Sequence, residues 1–244
     1  MEKVFPRMYS KPEKTTISGL IFCFLLVFIV LPLLKPLMGF TLWKLAWPEI
    51  CYHIVNGIVL LLFLRKYLAK EWLMVAADVR FYLKHIILTV GLMVGILLVL
   101  LRVLHCFDFQ IAFMLESLPV VEMSVSYTPL HLVVTEPLFG TITLSVFSPI
   151  TICALFYCLG FAPVCCKNPW LAYLCIALVT LIPPVVNILW RGDTLFVLTA
   201  YIINLPVHLL ACWSYQKTDN VWTPIISLGI TNLITSILLI LLIQ

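Results

Sequence analysis

Apolar residues run through this chain in long unbroken stretches, and polar residues collect between them. Seven stretches, about 17–40, 47–64, 86–104, 138–160, 169–189, 194–214 and 222–243, reach or approach the roughly 20 helical residues that cross a bilayer core of about 30 Å. None alternates with a period of two, as the strands of a membrane barrel do. The pattern predicts an all-α fold, a polytopic transmembrane bundle of about seven helices. Between the second and third stretches, residues 67–84 place Leu68, Trp72, Leu73, Val75, Ala76, Val79, Tyr82 and Leu83 at helical spacing. Lys70, Glu71, Asp78 and Lys84 fill much of the rest. This segment reads either as one amphipathic helix lying in the cytoplasmic interface or as a plain extension of its neighbours.

Composition agrees. Of 244 residues, 63% are apolar and 11% charged. A soluble domain has to cover its surface with polar groups, and this composition cannot do so. The first apolar stretch is longer than a signal-peptide core and is not followed by a small-x-small cleavage site, so it reads as a retained helix. Cations and carboxylates then set the orientation. Lys3, Arg7, Lys11 and Lys14 precede the first span, and Arg65, Lys66, Lys70, Arg80 and Lys84 follow the second. Segment 105–137 carries Asp108, Glu116, Glu122 and Glu136 with no Lys or Arg. The positive-inside rule therefore predicts a multi-pass protein of the cell membrane, with a cytoplasmic N-terminus and segment 105–137 outside. Trp43, Trp47, Trp170, Trp190, Trp213 and Trp222 fall near span ends, where aromatic belts form. The chain divides into a cytoplasmic tail (1–16), N-terminal membrane helices with the interfacial segment and acidic loop (17–137), and a four-helix core (138–244). These make up one membrane domain without internal repeats.

The C-terminal core carries the clearest motif. Tyr215 to Asn220 reads as the end of one helix and a tight polar turn, and Trp222-Thr223-Pro224 opens another helix. This region resembles the last motif of the CAAX prenyl protease and bacteriocin-immunity family, in which a His is followed four residues later by Asn or Asp. Here those positions are Leu228 and Asn232. Ser148 to Tyr157 resembles the family's first motif, with Pro149 and Phe156 in register. Its Glu pair falls on Ile152 and Cys153, and its Arg on Tyr157. The second motif, an aromatic and then a His, falls on Thr180 and Pro184. Asn168-Pro169-Trp170 resembles the opening of the intervening helix. The resemblance covers about residues 140–240, and Asn232 is the one polar catalytic position that it retains.

The family resemblance implies a bundle in which buried carboxylate and imidazole groups activate water. Burying such groups in a membrane costs a few kcal/mol each on insertion scales. Replacing them by Ile, Cys, Tyr, Pro and Leu relieves that cost once hydrolysis is not required. The expected function is thus binding without catalysis: a degenerate relative that engages a peptide, a lipidated molecule or another membrane protein, in an immunity or regulatory role. A cavity stripped of charge would form a hydrophobic groove. Two alternatives stand beside it. One is an active endopeptidase with divergent residues, using His208 and Asn204, which lie one helical turn apart, together with Asn232. The other is a small transporter-like subunit with broken helices and midplane Asn residues. A helix-packing hydrogen bond is the simpler role for His208. The chain has no H-E-x-x-H and no C-x-x-C, so no metal site and no cofactor are expected. The nine Cys lie mostly in apolar stretches and read as packing residues, with Cys165-Cys166 a juxtamembrane pair open to acylation. Membrane lipid is the expected surrounding, and nucleic acid is not an expected partner.

Overall fold

The computed structural model describes residues 18, 21, 22, 25, 47–106, 145–153, 157, 161–165, 168–181 and 194–243. Among these the regular structure is entirely helical: α1 (Trp47–Ala77), α2 (Val79–Cys106), α3 (Ala162–Cys165), α4 (Pro169–Val179), α5 (Thr194–Thr218) and α6 (Trp222–Ile243). Residues 145–152 are also helical. The N-terminal tail, most of the first apolar stretch, the acidic segment beyond Cys106 and Pro184 lie outside the described residues.

Apolar side chains at four-residue spacing build the core. The buried stripe of α1 is Leu60, Leu64 and Leu68, and that of α5 is Ile203, Val207, Ala211 and Tyr215. Between α2 and α4, Cys153, Tyr157, Phe161 and Cys165 repeat the spacing. Such a stripe keeps one face of each helix toward its neighbours. α2 packs along both α5 and α6, which also pack on each other, and α4 lies against α5. Two glycines permit close approach to residues 145–149. A Cβ on Gly57 would collide with the ring of Phe147, and one on Gly229 would come within 2.7 Å of the Ser145 carbonyl oxygen.

Much of the outside of the described helices is apolar, and several polar groups lie inside. Leu83, Ile87, Val99 and Val103 of α2 are exposed, as are Leu62, Phe63 and Leu73 of α1. Asn56, Thr89, Ser214, Asn220, Thr223 and Ser227 are buried. Val79–Leu100 is long and apolar enough by itself to cross a membrane, the one such segment found among the described residues. Membrane association therefore rests on this helix, and the seven spans expected from the sequence do not each meet the same test.

The helix boundaries decide between the two readings of residues 67–84: the segment is not one interfacial helix but the extension of its two neighbours. α1 continues to Ala77, and Asp78 starts α2 by accepting from the Phe81 N–H through Oδ1 at 3.2 Å. An Asp side chain satisfies the first turn's orphan donors better than it supports a helix interior, so the break falls there. The opening of α4 follows the expected form: Asn168 Oδ1 accepts from the N–H groups of Trp170 and Leu171, and Pro169 takes the first helical position.

Candidate functional site

The motif positions read from the sequence are closed into the core. Cys153 and Tyr157 are fully buried, Leu228 is buried, and Ile152 packs against the same cluster. Phe161 and Ile150 belong to the same buried cluster. Thr180, at the aromatic position of the second motif, returns its hydroxyl to the Ile176 carbonyl at 2.9 Å and closes the last turn of α4.

One polar pair stands within this core. Tyr157 Oη lies 3.3 Å from His208 Nδ1 and also donates to the His208 carbonyl oxygen at 3.4 Å. The sequence pairs His208 with Asn204, but the described hydrogen bonds of His208 run to Tyr157 instead. The reason is tertiary. Position 208 on α5 faces Tyr157 across the core, and a phenol reaches farther than an amide one turn away on the same helix. Asn204 is half-buried on α5. Asn232 is half-buried on α6, where its carbonyl accepts from Thr235 Oγ1 at 3.0 Å. The Tyr157–His208 contact ties α5 to Tyr157, 51 residues earlier in the chain. General base catalysis would further require a reacting proton within reach of the imidazole.

A second polar locus is the segment that the sequence reads as a tight polar turn and a Trp-x-Pro helix opening, without indicating what it packs on. The turn between α5 and α6 docks on α1. Asn220, fully buried, donates from Nδ2 to the Glu71 carbonyl oxygen at 2.8 Å and accepts from the Trp222 N–H at 2.9 Å. The Trp222 indole N–H donates to the Leu68 carbonyl at 2.8 Å, and Trp72 meets Trp222 edge to face. Asp219 takes a left-handed backbone (φ 47°) that ends α5, a position usually given to Gly or Asn. Glu71 is only 1% exposed, whereas the sequence places it on the polar face of an interfacial helix. The signal was present: Leu60, Leu64, Leu68, Glu71 and Val75 continue one helical stripe, so Glu71 shares the buried face.

Cys165, one of the two thiols read as open to acylation, is buried, and Cys166 lies outside the described residues. His53 sits within α1, two turns before Leu60. Among the described residues no group of three or more His, Cys, Asp or Glu is placed to hold a metal ion. No family model, no curated protein and no solved structure matches the chain.

Proposed function

We propose that this chain is a multi-pass membrane bundle of about seven spans, related to the CAAX prenyl protease and bacteriocin-immunity proteins, that binds a partner and does not hydrolyse it. The partner class is a peptide, a lipidated molecule or another membrane protein. The observation that carries this reading is the filling of the motif positions. Cys153, Tyr157 and Leu228 are buried packing groups where the resemblance would put a carboxylate, an arginine and an imidazole. Water activation needs a positioned proton acceptor, and these side chains supply none.

Support for several spans comes from the way loops meet. The positive-inside argument puts segments 65–84, 161–168 and 215–221 on one side of the membrane. In the folded chain Asn220 bonds the Glu71 carbonyl, Tyr173 Oη donates to Gln216 Oε1 at 2.8 Å, and Phe161 stacks edge-on with both Tyr173 and Tyr215. Three segments that the expected topology assigns to one side lie together at one end of the bundle. Exposed apolar residues on α1 and α4, beyond those on α2, extend the lipid-compatible surface to more than one helix.

The test is a cleavage assay with the purified full chain in lipid nanodiscs and a reporter peptide with a prenylated C-terminal Cys. No cleavage is expected, and His208→Ala and Asn232→Ala are expected to leave partner capture intact. Cleavage lost on His208→Ala would sink the binding reading. It would favour the divergent endopeptidase, for which the Tyr157–His208 contact is the supporting observation.

A further inference from the structure

The end of the bundle where the three segments meet is also where its exposed cations gather. Arg65, Lys66 and Lys70 project from the C-terminal half of α1, Arg80 and Lys84 from the first turns of α2, and Lys217 from the last turn of α5. All six are exposed. The carboxylates of this end are placed differently: Glu71 and Asp219 are buried, and exposed Asp78 is engaged in capping α2. The fold therefore turns acidic groups inward and leaves basic groups outward. Aromatic side chains border the cations. Trp170, in the first turn of α4, is 85% exposed, and Trp72 is half exposed against Trp222. Hydrogen bonds from Asn220, Trp222 and Tyr173 hold these elements in one arrangement.

We propose that this end of the bundle binds the headgroups of anionic phospholipids in the leaflet that it faces. The inference rests on the membrane reading above and adds a lipid class to it. Trp rings settle at headgroup depth, and Lys and Arg reach along their alkyl stems to phosphate oxygens at the same level. Exposed Leu73 and Leu83 stand at the same end beside Lys70 and Lys84. Arg102, also exposed, stands about 33 Å along the same α2 helix from Arg80 at 1.5 Å rise per residue, and so lies at the opposite end.

The experiment reconstitutes the full chain in phosphatidylcholine vesicles and measures Trp quenching by brominated phosphatidylserine against brominated phosphatidylcholine. The wild type is expected to prefer the serine lipid by at least about twofold at low salt, with the preference falling as salt rises. The Lys66→Gln, Lys70→Gln, Arg80→Gln, Lys84→Gln variant is expected to lose most of that preference, and Arg102→Gln to keep it. Inorganic phosphate, compared with chloride at equal ionic strength, is expected to add no further loss. Equal quenching by both lipids, an unchanged fourfold variant, an equal loss in Arg102→Gln, or displacement by phosphate would each overturn the proposal. Equal quenching would leave the membrane reading standing, whereas no quenching by either lipid would remove both.

Discussion

Asn220→Ala tests whether the α5–α6 turn is held on α1 by its buried amide. The wild-type side chain makes two hydrogen bonds without exposed surface. On one side it caps α6: the Trp222 N–H is a first-turn donor with no intrahelical acceptor, and loss of such a cap costs about 1 kcal/mol. On the other side it donates to Glu71 O, a carbonyl inside α1 that also serves its own helix. Losing that bond costs about 1 kcal/mol, near the ordinary net value, and not the full penalty for an orphaned group. The expected loss is thus about 2 kcal/mol, or about 4–8 °C in Tm at the usual sensitivity for a chain of this size. Thermal unfolding in nanodiscs, followed by Trp fluorescence, reads it directly. Trp222→Phe removes the indole N–H bond to Leu68 O and keeps an aromatic ring, so about 1 kcal/mol is expected. If the turn docks as a unit, the double variant loses less than the sum of the two. A Tm within a degree of wild type for Asn220→Ala would refute the docking argument.

Four further outcomes follow from the packing. Gly229→Ala sets a methyl against the Ser145 backbone and is expected to cost about 1–3 kcal/mol, whereas Gly91→Ala meets nothing within 4 Å and is expected to gain up to about 1 kcal/mol. Thermal unfolding of the two variants side by side checks both signs. Leu92→Lys, at an exposed position midway along Val79–Leu100, is expected to cost about 2.5–3.5 kcal/mol if that face meets lipid, read as reduced membrane insertion. Unchanged insertion would place that face in water. Tyr157→Phe is expected to lose about 1 kcal/mol of stability by deleting the phenol's bonds to His208, with partner capture unaffected.

Much of the fold was legible in hydrophobic periodicity. The openings of α4 at Asn168-Pro169 and of α6 at Trp222 fall where capping chemistry puts them. The stripe through Leu60, Leu64 and Leu68 also points to Glu71, but a lone Glu among lysines is read more readily as part of a solvated face. Asp78 shows the reverse case. Its capping role is local and predictable, yet the apolar spacing across 67–84 continues on both sides of it and hides the break. The Tyr157–His208 pair was not legible, because its members are 51 residues apart and no local pattern links them.

By itself, the sequence determined that this chain is helical and that its helices carry extensive apolar faces. Those properties follow from composition and from a 3.6-residue period, both of which are local. Only the tertiary structure decided which polar groups go inside and which distant side chains meet. Burial of Glu71, the seating of Asn220 on α1 and the gathering of Lys217 with the α1–α2 cations all depend on where helices cross. That is set by packing between residues far apart in the chain, where glycines permit close approach and four-residue stripes interlock.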